Sequence, residues 1–184
     1  FEHVWTSPKM RPVFSVAIED TDKDGVLDIL AGSWDGKVRA YEYRKHSGYP
    51  FSKEHWIQYE EVWNSGDFIK DKVTAITTAD TNYNGLPEII AGTRNGSIYV
   101  FENDGAVLYV EGVPFPLTND NKYVNKTTIS GYVWKPILSL DSGDLDEDFD
   151  DEVVALAAGQ GVYVLDYTAS GLSLIHISEP TRPY

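Results

Sequence analysis

Apolar and polar positions along this chain fall into short runs of strand length, and no window sustains the 3.6-residue apolar period of an amphipathic helix. Val13 to Ile18, Val73 to Thr78 and Ile137 to Leu140 each read as a strand. Each is followed by an acidic loop and then by a second apolar run: Ile29-Leu30-Ala31, Ile89-Ile90-Ala91 and Val153-Val154-Ala155. Next comes a turn, at Asp35-Gly36 and again at Asn95-Gly96. These dipeptides tolerate positive φ and predict two-residue hairpins. The return strands, Val38 to Tyr41, Ile98 to Phe101 and Val162 to Leu165, are β-branched and aromatic. A fourth strand per unit is predicted over Glu54 to Trp63 and, from a weaker pattern, over Val107 to Val110.

These runs belong to a repeat. Segments beginning at Asp20, Asp80 and Asp144 align without gaps over 22 residues, at spacings of 60 and 64. A second register agrees: Phe1-Glu-His-Val-Trp-Thr-Ser7 matches Tyr59-Glu-Glu-Val-Trp-Asn-Ser65 at an offset of 58. Four antiparallel strands in each repeat of that length predict an all-β fold of the β-propeller kind, with four-stranded blades. A closed ring needs at least about four blades, so the units at about 1–58, 59–116 and 117–171 are expected to form part of a ring. The residues from Leu172 to Arg182 read, when reverse-translated, as eleven codons of a transposon-type sequencing adapter. Residues 172–184 are therefore set apart as a non-native tail. The other reading of Leu172 to Ile177 is a short strand.

Composition narrows the partners. Acids outnumber bases 29 to 15, for a net charge of −14. A surface this acidic repels nucleic-acid phosphates and anionic lipid. No run approaches the ~20 apolar residues of a membrane-spanning helix. There are no cysteines, which removes disulfides, thiolate metal sites and cysteine nucleophiles.

The acidic loops carry the candidate chemistry. Counted from Asp20, the first places Asp20, Asp22 and Asp24 at positions 1, 3 and 5, Gly25 at 6, Val26 at 7 and Asp28 at 9. Alternating carboxylates in a tight turn aim hard oxygens inward, and glycine permits the turn to wrap around an ion. With the Val26 carbonyl and Asp28 the shell approaches the six to eight oxygens that Ca²⁺ prefers; Mg²⁺ demands a stiffer octahedron. Zinc would want nitrogen or sulfur ligands, and none repeats with the period. The second loop offers Asp80 and Glu88 as charges, Asn82 and Asn84 as neutral oxygen donors, and the Leu86 carbonyl. The third has Asp144, Asp146, Asp148 and Glu152, but Phe149 stands where the others have glycine. A bulky residue at positive φ is costly, so this loop is expected either to bend differently or to lean on Asp150 and Asp151. The expected order of affinity is first, third, second.

These loops resemble those of the VCBS/FG-GAP repeat family, which includes the integrin α-subunit propellers. That family reads Asp-x-Asp-x-Asp-Gly-x-x-Asp ahead of an apolar strand. The resemblance covers about residues 1–168 and is fullest in the first repeat. The family's literal Phe-Gly and Gly-Ala-Pro signatures are absent, with Ala31-Gly32 and Ala91-Gly92 standing at the second. It implies Ca²⁺ held structurally within a blade, in a ring serving adhesion or ligand binding, or appended to an enzyme.

Other candidates are weaker. The close carboxylate pairs all belong to repeated loops, and catalytic residues do not normally recur at a structural period. His3, His46 and His55 lack the setting of a triad. Trp5 and Trp63 recur in the repeat and are expected to pack between units, whereas Trp34 sits in a hairpin turn and is a candidate for an exposed contact. Asn95 and Asn125 match the glycosylation sequon, and Asn95 is explained by its turn. The stretch Val113 to Pro136 is long for a plain connection. The expectation is a non-catalytic calcium-binding module, extracellular or at a cell surface, with a protein or carbohydrate ligand and the remaining blades of the same chain as partners. Its rival is a set of non-catalytic blades from a propeller enzyme, such as a polysaccharide lyase or a quinoprotein-like protein.

Overall fold

The structure is a computed structural model that describes residues 3, 5–44, 58–102, 124–129, 135–159, 161–168 and 171–175. Among these residues every regular element is a strand. β1 (Val13–Glu19), β2 (Asp28–Ser33), β3 (Val38–Arg44) and β4 (Gln58–Asn64) form one antiparallel sheet in chain order. β5 (Val73–Ala79), β6 (Glu88–Thr93), β7 (Ile98–Glu102) and β8 (Val124–Ile129) form a second, and β9 (Ile137–Gly143), β10 (Glu152–Ala157), β11 (Gly161–Thr168) and β12 (Gly171–Ile175) a third. The all-β expectation is what the structure contains, with four antiparallel strands in each sheet.

The sheets stack face to face through their first strands. The Ile76 N–H donates to Ser15 Oγ at 3.0 Å, and Ser142 Oγ donates to the Thr78 carbonyl at 2.6 Å. Successive side chains of a strand point to opposite faces, so the second sheet serves two cores. Ile89, Ala91, Tyr99 and Phe101 pack with Leu30, Ala40 and Trp63 of the first sheet. Ile90, Ile98 and Val100 pack with Val153, Ala155 and Leu165 of the third. At the first seam a Cβ on Gly32 would lie 2.5 Å from Val73 Cγ1; at the second, a Cβ on Gly92 would lie 2.5 Å from Ile137 Cγ2. Only glycine allows the sheets to approach this closely.

Three details differ from the sequence reading. The hairpins at Asp35-Gly36 and Asn95-Gly96 are three-residue loops, not two. Gly36 N–H donates to the Ser33 carbonyl at 3.2 Å and Ser33 N–H to the Lys37 carbonyl at 3.1 Å; Gly96 and Thr93 repeat both bonds. This is a type I turn closed by a left-handed glycine, with φ of 77° at Gly36 and 88° at Gly96. The fourth strand of each sheet falls at or past the proposed unit boundary, β4 from residue 58 onward, β8 beyond 116 and β12 from 171 onward, while Val107 to Val110 lies outside the described residues. β12 takes in residues 172–175 of the tail, pairing Leu165 with Leu174 and Tyr167 with Leu172. Of Val113 to Pro136, only β8 and residues 135–136 are described; His46, His55, Trp56 and Trp134 lie outside.

Candidate metal centre

Each acidic loop joins the first strand of its sheet to the second, and all three share one backbone path. Position 4 is left-handed in each, at Lys23 (φ 56°), Tyr83 (52°) and Glu147 (66°), and so is position 6, at Gly25 (91°), Gly85 (84°) and Phe149 (82°). The third loop therefore does not bend differently. Phe149 adopts the glycine conformation, with its ring exposed and 5.7 Å from that of Tyr83.

Side chains hold this path by accepting backbone N–H groups. The position-1 carboxylate accepts from position 6: Asp20 from Gly25 (2.9 Å), Asp80 from Gly85 (2.9 Å) and Asp144 from Phe149 (3.2 Å). Position 5 accepts from position 7: Asp24 from Val26 (2.8 Å), Asn84 from Leu86 (2.7 Å) and Asp148 from Asp150 (3.4 Å). The acid at position 9 opens the second strand, is buried, and accepts from position 2. Asp28 takes the Thr21 N–H at 3.4 Å, Glu88 the Thr81 N–H at 2.7 Å, and Glu152 the Leu145 N–H at 2.6 Å. The bonds from position 5 to position 7 are Asx-turns, and together with the longer bonds they specify the loop before any ion is involved.

The three loops then diverge. In the first, carboxylate oxygens of Asp20, Asp22 and Asp24 lie within 4.8 Å of one another, a grouping that could hold a metal ion. In the third, two such groups share Glu152: Asp144 and Asp146 with it, and Asp148 and Asp150 with it. In the second, Asn82 and Asn84 were expected to offer oxygen. Their oxygens accept the Asn84 and Leu86 N–H groups, and their amide nitrogens turn toward buried acids. Asn82 Nδ2 donates to Glu88 Oε1 (2.9 Å) and Glu102 Oε1 (2.7 Å), and Asn84 Nδ2 to Glu102 Oε1 (3.1 Å). Amide protons thus answer the carboxylates of this loop. The Val26 and Leu86 N–H groups are fixed by the bonds above. Asp151 stands apart from the third cluster: its Oδ2 accepts the Asp80 N–H at 3.0 Å and its own N–H donates to the Asp80 carbonyl at 3.0 Å, clasping the second loop to the third.

Glu152 is the sharpest feature. Thr21 and Thr81 each donate a hydroxyl to the position-9 acid of their loops, whereas the third loop has Leu145 at that place. Glu152 is 1% exposed, and among the described residues its Oε1 has no hydrogen-bond partner. A buried carboxylate oxygen left alone is costly. Its burial raises the Glu152 pKa, and burial together with Asp148 raises that of Asp146. Asp150 is pushed up to about 6, first by its hydrogen bond with Asp148, which is held down by the same bond. An oxygen-rich, partly buried set of acids strained in this way is what a hard divalent cation would relieve.

Sequence reasoning missed one recurring acid. Glu42, Glu102 and Asp166 stand 22 residues after Asp20, Asp80 and Asp144. Glu42 faces Asp28 across the β2–β3 register and is ion-paired to Arg44 at 3.0 Å. Glu102 closes the second loop, and the charge of Asp166 adds to the upward shifts of Asp146, Asp150 and Glu152. The signal lay one residue beyond the end of the repeat alignment.

Away from the loops, a cleft of about 480 Å³ is lined by Lys9, Arg11, Asp35, Arg39, Tyr41 and Glu61, among others. Arg39 is already answered there by Asp35 at 2.6 Å and Glu61 at 3.7 Å. The guanidinium holds the Asp35 carboxyl down at about 2, and burial pushes the Tyr41 hydroxyl up to about 12. Trp34 is half exposed, but its ring carries the Lys72 ammonium 3.1 Å from its centroid and packs on Phe14. His3 bonds to the nearby Thr6 hydroxyl. No family model matches the chain. No curated protein matches it either.

Proposed function

We propose that this chain is a calcium-binding β-propeller module, three blades of a ring, with Ca²⁺ held structurally in the first and third acidic loops. The observation that carries this reading is the buried, partnerless Oε1 of Glu152 among Asp144, Asp146, Asp148 and Asp150. The three loops sharing one backbone path add to it. Calcium would neutralise the carboxylates and tie the first strand of a sheet to its second. With free ion at ~1 mM and a dissociation constant of ~0.1 mM, one site contributes about 1.4 kcal/mol. Affinities of that order act outside the cytosol, so the proposed setting is extracellular or at a cell surface, as a binding or adhesion scaffold for a protein or carbohydrate ligand. No catalytic role is assigned to these residues.

The test is thermal unfolding of the full chain in calcium, in magnesium and in chelator. A midpoint raised by calcium and not by equal magnesium is expected. Asp22→Ala should remove part of that rise, about 1 kcal/mol, while Asn82→Ala should leave it in place. A cooperative transition indifferent to calcium would remove the cation from the reading.

A further inference from the structure

The two seams between sheets share one rule. The first strand of the later sheet seats a pair of apolar side chains over a glycine in the second strand of the earlier one. Val73 and Ile76 sit over Gly32 and are 0% and 5% exposed; Ile137 and Leu140 stand at the matching positions of β9 and are 0% and 9% exposed, with Ile137 over Gly92. The same positions in β1 are Val13 and Val16, and these are 41% and 64% exposed, with Ile18 beside them at 63%. The tryptophans repeat the arrangement. Trp63, from the fourth strand of the first sheet, packs on Phe101 of the second at 5.3 Å. Trp5, its match at the offset of 58, packs on Tyr41, the match of Phe101, at 5.4 Å. Trp5 thus occupies, against the first sheet, the place of a fourth-strand tryptophan from a sheet before it.

At the far side of the stack, Val154, Val162 and Val164 repeat the pattern of Ile90, Ile98 and Val100, but Leu156 stands where the glycine was. It is 40% exposed. A Cβ alone at Gly32 or Gly92 would come within 2.5 Å of the facing side chain, so a leucine cannot accept a Val13-Val16 pair at that spacing.

We infer that the open face of β1 is half of a further seam. Its occupant is a four-stranded sheet of this same repeat with glycine at the position of Gly32 and Gly92, and the Leu156 face of a second copy is excluded from that role. The inference rests on the stacked-sheet part of the proposed reading and not on the cation, so its tests read assembly rather than metal. On the full chain, light scattering behind size exclusion should find the wild type monomeric. Leu156→Gly should create the missing seat and produce head-to-tail association, with a dissociation constant at least about tenfold below any of the wild type. Val16→Asp in the same chain should abolish it. A Leu156→Gly chain that melts cooperatively yet stays monomeric overturns the inference, as does wild-type association that Val16→Asp removes. Gly92→Leu tests the rule separately. It should speed amide exchange across β9, and unchanged protection there would refute the glycine requirement.

Discussion

Phe149 shows how far the loop backbone is dictated by its hydrogen bonds rather than by the residue at its tightest point. A non-glycine residue held at φ 82° costs on the order of 1–3 kcal/mol, and the exposed ring returns little by burial. Phe149→Gly should therefore raise stability by about 1 kcal/mol after the greater chain entropy of glycine is counted, or a rise of about 2–4 °C in melting temperature. A lower midpoint would mean that the contact with Tyr83 outweighs the strain. Asp35 supplies a pH signature. Its folded pKa of about 2 lies below the usual 3.8, because of the Arg39 guanidinium. Its contribution is thus complete above about pH 4 and lost as pH falls toward about 2. The stability gap between wild type and Asp35→Asn should close across that window, and a gap constant with pH would refute the assignment.

Within each element the turns and strands follow from residues that could be read directly. The three apolar runs after the acidic loops, and the return strands after Asp35-Gly36 and Asn95-Gly96, stand where the pattern placed them. Hairpin length was not legible. Asn-Gly and Asp-Gly serve both the two-residue turn and the type I turn with a left-handed glycine, and the choice depends on strand register that only pairing fixes. β8 was hidden because the repeat is interrupted between β7 and its partner strand. At the site, the position-9 acids were legible from spacing, whereas the inward amides of Asn82 and Asn84 were not: sequence names the side chain, not which of its two ends a neighbouring N–H claims. The loop-to-loop clasp was likewise invisible, since Asp151 looked like one more acid of a cluster. Its two bonds with Asp80 join elements of different sheets. Asp151→Ala should cost about 1.5–3 kcal/mol and speed hydrogen exchange at the Asp80 amide. Exchange there at the wild-type rate would show the clasp to be idle.

Among the described residues, the second sheet is covered on both faces and the outer two on one face each. Opening of the structure is therefore expected to begin at the flanks and reach β6 and β7 last, which native-state exchange rates would order. A rate in β6 no slower than in β2 or β10 would contradict that. The clasp between Asp80 and Asp151 bears on how such a molecule counts its ions. An ion held by the third loop would fix the chain around Glu152, and the paired bonds of Asp151 would pass that order to the second loop, whose amides already answer its acids. Occupancy and order then part company. With ions in the first and third loops, as proposed, a calorimetric titration would register a stoichiometry of two, while three loops would grow still, one of them on its neighbour's ion.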